Sequence, residues 1–188
     1  NSIMIIDKVE VSPYAINFKQ SYANSKISIN TRRGWILKLF SDDIIGYGDA
    51  SPLNQFSHES YSQAGYGLEG FRLSMQNIGN IDIEEIFQLA NAHGESQPSV
   101  QCCIESAIFD LISKKNNIPL NKYLNLSASS HIECSLYDIS DSTPFNGMTL
   151  KVKVKGKNLF NELERIDRLI DRFNGMVKLR LDFNGSYD

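Results

Sequence analysis

The sequence of 188 residues predicts a mixed α+β domain that is followed by the opening strands of a parallel α/β sheet or barrel. Two observations support this prediction. Strand patterns separated by turns begin the chain and give way to helical patterns, whereas after residue 131 the order becomes strand, loop, strand, helix, strand. Strands that alternate with helices are typical of parallel βα units. The segment 126–131 (LSASSH) lies between the two patterns and is the predicted linker.

The amino-terminal part of the chain shows strand patterns first. Residues 3–11 (IMIIDKVEV) are a strand candidate, and residues 12–28 are polar and loop-like at their centre. Residues 34–50 (GWILKLFSDDIIGYGDA) predict two strands joined at Ser41, Asp42 and Asp43, which are typical turn residues. This arrangement predicts a hairpin or a meander.

Three helices are predicted next. Ser57 is a candidate N-cap for a helix over residues 58–76, and Asp82 followed by Glu85 matches the capping-box pattern of a second helix. A third helix is expected from Pro98, a residue favoured in the first helical turn. Its apolar residues recur at helical spacing and predict one buried stripe: Val100, Cys103, Ile104, Ala107, Ile108, Leu111 and Ile112.

Composition disfavours several classes of protein. With 41% hydrophobic and 22% charged residues the chain has the composition of a globular domain. A net charge of -3 and a lysine cluster without aromatic neighbours disfavour nucleic-acid binding. An odd number of cysteines (Cys102, Cys103, Cys134) favours a reducing cytoplasm over a disulfide framework. The apolar run at residues 3–6 is too short for a signal segment or a membrane span, so no membrane contact is expected.

Two predicted strands after the linker carry charge on one face. Side chains alternate along a strand, so the three lysines of residues 150–155 (LKVKVK) share a face: Lys151, Lys153 and Lys155. The same period groups three residues of 177–182 (VKLRLD): Lys178, Arg180 and Asp182. Such alternation is also typical of a solvated sheet edge, where lysine blocks strand pairing, so both interpretations stay open on the pattern alone.

In a barrel these charged faces would point into the lumen, because helices cover the outside and active sites lie at the carboxyl ends of the strands. Asp182 would then be a candidate ligand of Mg²⁺, which prefers oxygen donors. Lys153 would be the candidate proton carrier, because the neighbouring cations Lys151 and Arg180 favour loss of its proton. Alternatively, the segment 182–185 (DFNG) is an ordinary strand end followed by an Asn-Gly turn.

Taken together and in order, four segments of the chain resemble the enolase superfamily, in particular its muconate-lactonising subgroup and, within that, o-succinylbenzoate synthase. They are GYGDASPLNQFSHES from residue 46, PSVQCCIESAIFDLISKKNNIPL from residue 98, LKVKV from residue 150 and LRLDFNG from residue 179. The resemblance implies an α+β capping domain over residues 1–128, followed over residues 129–188 by the first βα units of a modified TIM-type barrel. We expect that barrel to be incomplete, because a whole one takes about 250 residues.

The resemblance also implies roles for individual residues. The Lys-x-Lys motif of the family falls on Lys151 and Lys153, of which the second is the catalytic base and acid. Asp182 would be the first Mg²⁺ carboxylate. Lys155 follows Lys153 on the same face of the strand, so Lys155 stays open as an alternative catalytic base. The residues expected to bind substrate or support the site are Asn184, Arg180, Ser51, Pro52 and Leu53. Two segments of the capping domain, around residues 18–26 and 50–56, would close over the substrate.

The reaction that the resemblance implies is that of a carbon–oxygen lyase. It would be a Mg²⁺-dependent dehydration of a cyclohexadiene carboxylate to o-succinylbenzoate, a menaquinone precursor, through removal of the proton α to a carboxylate. The segment SPLNQFS favours this reaction within the family. One alternative is a dipeptide or N-acylamino-acid epimerase, or a cycloisomerase, that uses the same Lys153. Another is a non-catalytic or inactive fragment. The expected partner is a small carboxylate, and the oligomeric state stays open.

Overall fold

The computed structural model describes residues 3–23, 28–137, 147–154 and 158–183. The chain forms two compact units, Asn1–Ala128 and Ser129–Asp188. Each unit has a hydrophobic cluster of its own. Within the described ranges, no helix combines the length and the apolar character needed to cross a lipid bilayer.

The first unit contains an antiparallel three-stranded sheet and a small two-stranded sheet. The larger sheet has the order β2–β3–β4, with strands Lys8–Ala23, Ser28–Ser41 and Ile44–Ala50. The turn between β3 and β4 contains Asp42 and Asp43, as the sequence predicts. In the smaller sheet β1, Ile3–Ile5, pairs with β5, Asn80–Asp82.

The loop expected at the centre of residues 12–28 is wrong, because strand β2 continues to Ala23. Regular pairs with β3 run from Lys8 opposite Phe40 to Asn17 opposite Thr31, followed by a register shift. The backbone hydrogen bonds of such a ladder form whatever the polarity of the side chains, which explains why a polar segment is a strand. Residues 24–27 lie outside the described part. The strand expected over 3–11 is divided, with Ile6 and Asp7 between β1 and β2.

The described part of the first unit also contains four helices: α1 Tyr61–Ser74, α2 Ile83–Gly94, α3 Pro98–Lys115 and α4 Leu120–Leu124. The N-cap of α1 is Ser60 and not Ser57, because Ser60 and Gln63 form a reciprocal capping box. Helix α2 begins with the expected capping box of Asp82 and Glu85. The expected apolar stripe of α3 is buried along its whole length.

Strand β4 and helix α3 lie in close contact because two glycines on the helix-facing side of β4 have no side chain. A Cβ atom at Gly48 would overlap the carbonyl oxygen of Cys103, and one at Gly46 would overlap that of Ala107. Cys103 and Ala107 are one helical turn apart on the same face of α3. Any larger residue at either glycine would therefore push the helix away from the sheet.

The second unit contains a parallel three-stranded sheet in the order β6–β7–β8, with strands Ser135–Tyr137, Met148–Lys153 and Val177–Asp182. Helix α5, Leu159–Phe173, connects β7 to β8. The strand expected over 132–139 is shorter, because residues 132–134 are not in β6, and residues 138 and 139 lie outside the described part. This order of strands and helix is the parallel βα arrangement expected from the sequence.

The amino terminus of α3 is capped by a residue from another segment of the chain. Gln97, in the N-cap position, makes no side-chain hydrogen bond to the helix. Instead the backbone N–H of Ser99 donates to Oε1 of Glu59 at 2.6 Å, and Glu59 is only 4% exposed. Burial alone would raise the pKa of the Glu59 carboxyl group, but hydrogen bonds to the carboxylate, including that from Ser99, and the nearby His58 together outweigh burial and lower the pKa below its ordinary value. The carboxylate thus stabilises the start of α3 and the end of the loop before α1.

Replacing Glu59 with glutamine is expected to lower the free energy of unfolding at neutral pH by about 1–3 kcal/mol, because the capping group loses its charge. A carboxyl group with a lowered folded pKa stabilises the protein above its ordinary pKa of 4.5, and that contribution is lost as the pH falls through the folded pKa. The difference between wild type and variant should therefore shrink between about pH 6 and about pH 3. Urea unfolding at each pH measures it.

The control is the same change at Glu84, an exposed residue in the first turn of α2. It should change the free energy of unfolding by less than about 0.5 kcal/mol at any pH in this range. A difference for Glu59→Gln that stays constant as the pH falls would contradict the role given to the carboxylate.

Candidate active site

The parallel register of β7 and β8 sets the geometry of the candidate active site. Lys151 pairs with Arg180, and Lys153 pairs with Asp182. Paired residues of neighbouring parallel strands point to the same face of a sheet, and so do residues two apart along one strand. The side chains of Lys151, Lys153, Arg180 and Asp182 therefore share one face, towards the carboxyl ends of the two strands.

The opposite face of this sheet packs on helix α5. Leu150 and Val152 are 3% and 6% exposed and form a cluster with Phe173 of α5. Leu179 and Leu181 of β8 pack against the same cluster. Because apolar residues occupy the helix-covered face of both strands, the charged residues are restricted to the other face.

Lys151 and Asp182 form an ion pair across the two strands. The distance between Lys151 Nζ and Asp182 Oδ2 is 2.8 Å, and the side chains are 39% and 24% exposed. The pair therefore fixes the carboxylate at the end of β8 beside an ammonium group of β7.

Arg180 points to the third strand of the sheet. Its guanidinium group donates to the hydroxyl of Ser135 in β6 at 3.1 Å. Ser135 was not among the residues predicted from the sequence, where its signal is a single polar residue in the short segment ECSLY. Arg180 is thus positioned by β6, on the far side of β7.

The backbone at Lys153 is held from two directions. Arg165 of α5 donates to the carbonyl oxygen of Lys153 at 2.5 Å and pairs with Oε2 of Glu162 at 2.7 Å. The N–H of Val154 donates to the carbonyl oxygen of Asp182 at 2.9 Å. The Lys153 side chain is half-buried. Arg165 was not predicted from the sequence, because its contact depends on how α5 crosses the sheet.

The predicted residues Ser51, Pro52 and Leu53 belong to the first unit and lead into a turn, in which the Leu53 carbonyl oxygen accepts from the N–H groups of Phe56 and Ser57. Arg32 donates to the carbonyl oxygen of Ser51 and, at 2.9 Å, to its hydroxyl. Pro52 is buried, and the N–H of Leu53 donates to the hydroxyl of Ser57 at 2.8 Å. Ser57 therefore stabilises this turn instead of capping α1.

Other predicted positions are only partly covered by the structure. Residues 18–23 of the expected closing segment 18–26 belong to β2, and its remaining residues lie outside the described part. Asn184 and Lys155 also lie outside it.

The described residues offer a limited set of metal ligands. Across these ranges, no three side chains of His, Cys, Asp or Glu gather closely enough to hold an ion. Asp182 is a carboxylate at the end of a parallel strand, so it fits one ligand position of a hard cation. Mg²⁺ often binds through one or two carboxylates together with water and substrate oxygens. A single carboxylate is thus compatible with a magnesium site but does not complete one.

Comparison with known proteins gives one family and several distant relatives. The model of the family described as "MenC, N-terminal domain" matches residues 6–111. The hydrophobic dipeptide epimerase of Enterococcus faecalis is 22% identical over 98% of this chain and 55% of its own length. The L-Lys-D/L-Arg epimerase of Methylococcus capsulatus is 24% identical over 94% of this chain and 50% of its own length. The chain thus spans about half the length of these relatives.

A solved structure supports the architecture. The dipeptide epimerase from Methylococcus capsulatus, in complex with Mg and the dipeptide L-Arg-D-Lys, superposes with a TM-score of 0.77 at 24% identity. The match covers 98% of this chain and 55% of that one. The predicted fold class, an α+β capping domain followed by the opening parallel strands of a barrel, is confirmed.

Replacing Arg165 with methionine is expected to destabilise the carboxyl end of β7, because the Lys153 carbonyl and the Glu162 carboxylate lose a charged donor. We expect a loss of about 1–3 kcal/mol in the free energy of unfolding. Amide exchange at Val154 should also become faster. Urea unfolding and hydrogen exchange measure the two effects.

Arg168→Met is the matched control, since Arg168 pairs with Glu164 at 3.7 Å on the exposed side of the same helix. That change should alter the free energy of unfolding by less than about 0.5 kcal/mol. Equal effects of the two variants would show that Arg165 does not hold the end of β7.

Proposed function

Because the chain belongs to the MenC N-terminal domain family of the enolase superfamily, we propose that it is part of an enzyme that removes the proton next to a substrate carboxylate. The observation that supports this proposal is the shared face of Lys151, Lys153 and Asp182 at the carboxyl ends of β7 and β8. A base, a fixed cation and an oxygen ligand on one face are the groups that such a reaction needs.

We assign the proton transfer to Lys153. Its neutral amine would take the proton from the carbon α to the carboxylate, and the electrons of the broken C–H bond would pass into the carboxylate group. The contacts of Arg165 and Val154 fix the backbone on either side of this residue. Fixed geometry matters because proton transfer requires the base to lie within hydrogen-bond distance of the proton.

Lys151 would hold the Asp182 carboxylate in place and keep a positive charge beside the substrate. The 2.8 Å ion pair supports the first role. The second follows from Coulomb attraction, which is stronger in a partly enclosed site than in water. Arg180, bonded to Ser135, adds a further positive charge on the same face.

Mg²⁺ is the proposed cofactor, with Asp182 as one of its ligands. When bound, the ion would stabilise negative charge that develops on the substrate carboxylate. The substrate carboxylate and water would be among the other ligands of the ion.

As the overall reaction, we propose epimerisation of a dipeptide or an N-acylated amino acid. Both curated relatives bear epimerase names. In this reaction the α proton leaves one face of the carbon and a proton returns to the other, so substrate and product are isomers. Lys153 would carry out the transfer on one of the two faces, and a second lysine on the opposite face of the carbon would deliver the returning proton.

Dehydration of a cyclohexadiene carboxylate to o-succinylbenzoate is the second candidate. The family model and the segment SPLNQFS, residues 51–57, favour it. Here Lys153 would take the α proton and return it to the departing hydroxide, so that one water is lost and the ring becomes aromatic. Both candidate reactions begin with removal of the α proton and differ in where a proton is delivered afterwards.

The test incubates the full-length protein with Mg²⁺ in deuterium oxide, with a panel of L,L-dipeptides in one set of reactions and the cyclohexadiene carboxylate in another. Epimerisation should place deuterium on the α carbon and produce the second diastereomer, which proton NMR detects. An aromatic product without exchange of the dipeptides would favour the second candidate. Conversion of neither substrate would contradict both and favour the non-catalytic alternative.

Replacing Lys153 with alanine is expected to lower the rate of α-proton exchange by about 10²–10⁴-fold, which is the usual contribution of a general base. Folding should be retained, because the side chain is on the polar face of the sheet. The control is Lys178→Ala, an exposed residue nearer the start of β8, for which the rate should stay close to wild type. Exchange at the wild-type rate in Lys153→Ala would exclude Lys153 as the base.

A further inference from the structure

Strand β4 lies at one edge of the three-stranded sheet of the first unit. An edge strand presents backbone N–H and C=O groups that can pair with a strand of another molecule. Ile45 and Tyr47 lie opposite Phe40 and Lys38 of β3. In the part of the chain that the structure describes, side chains of helix α3 bind the outward N–H of Tyr47 and the outward carbonyl oxygen of Ile45.

Two residues of α3 supply one acceptor and one donor to this edge. The N–H of Tyr47 donates to Oδ2 of Asp110 at 2.9 Å. The carbonyl oxygen of Ile45 accepts from Nζ of Lys114 at 2.8 Å. A neighbouring strand would offer the same alternation of acceptor and donor. Asp110 and Lys114 therefore imitate a short piece of a partner strand.

These contacts support one another. Asp110 and Lys114 are one helical turn apart, and their charged groups lie 2.6 Å from each other. The Lys114 ammonium also lies 4.8 Å from the ring centre of Tyr47, whose side chain is 45% exposed. The aromatic and β-branched side chains of Tyr47 and Ile45 have high strand propensity, so this edge would pair readily if it were open.

We propose that the Asp110–Lys114 pair closes the edge of β4 against the β4 strand of a second copy of this protein. A second copy is the partner that the geometry fits, because antiparallel pairing of two identical edges satisfies the backbone groups of both. The pair is thus a barrier to self-association, and it is independent of the proposed reaction.

The test replaces both residues, Asp110→Ala and Lys114→Ala, in the full-length protein. Molar mass is then measured by light scattering during gel filtration over a wide range of concentration. The double variant should show a concentration-dependent rise to about twice the wild-type mass, since each edge accepts one partner. A variant with a native circular dichroism spectrum and the wild-type mass at every concentration would overturn the proposal.

The matched control is the double variant Glu69→Ala and Arg72→Ala. Glu69 and Arg72 form a 2.7 Å pair on α1 whose exposure is similar, and its hydrogen bonds run within that helix. Each double variant removes one positive and one negative charge, so neither changes the net charge. We expect the wild-type mass, and a rise equal to that of the first variant would also overturn the proposal.

Lys114→Met is a milder variant for use if the double variant fails to fold, because it keeps the apolar stem and Asp110. It uncovers only the Ile45 carbonyl, so a smaller rise in mass is expected. Hydrogen exchange of the peptide over residues 44–48 gives a second measurement. In a dilute solution of the double variant, this exchange should be faster than in wild type, and at high protein concentration it should become slower again. Exchange that equals the wild-type rate at both concentrations would overturn the proposal.

Discussion

The parallel register between β7 and β8 is the constraint on which the candidate active site depends. A slip of one residue would move Lys153 or Asp182 to the opposite face of the sheet. The slip is opposed by Leu150 and Val152, which are almost fully buried on that face. Burying a side chain of this size contributes about 1.5–3 kcal/mol, so an exchange of faces would lose several such contributions. The apolar face thus determines the geometry of the charged face.

Much of this fold could be predicted because local patterns and tertiary structure agree. The two-residue period of β7 and β8 places their charged residues on one face without any knowledge of the partner strand. The stripe of α3 and the capping box at Asp82 are likewise complete within one segment. Strand β2 was harder to predict, because its polar residues are held by backbone pairing with β3. The N-cap expected at Ser57 is wrong, because the Ser57 hydroxyl accepts from the N–H of Leu53 while Ser60 forms the capping box with Gln63.

The remaining features of the site depend on distances between segments that are far apart in sequence. Arg165 binds the Lys153 carbonyl only because α5 crosses the sheet at that point, and Arg180 binds Ser135 only because β6 is the third strand. No periodic pattern within one segment predicts where two distant segments of the chain cross. The described residues do not distinguish the two candidate reactions, for a chemical reason. Both reactions begin with removal of a proton α to a carboxylate, so the same lysine and the same carboxylate could serve in either. The residues that distinguish substrates are those that touch the rest of the molecule.

The glycines of β4 have a consequence for the axial alignment of helix α3. Helices normally lock in place because ridges of side chains fit into grooves, and such locking resists sliding along the helix axis. Gly46 and Gly48 have no side chains to form such ridges, and the backbone of β4 therefore comes close to the carbonyl oxygens of Ala107 and Cys103. The hydrogen bonds between Tyr47 and Asp110 and between Lys114 and Ile45 add directional contacts that favour one alignment of the helix along the strand. Different residues therefore determine how close α3 lies to β4 and how the two are aligned. The glycines of β4 permit the close approach, and the charged residues Asp110 and Lys114 of α3 favour the alignment.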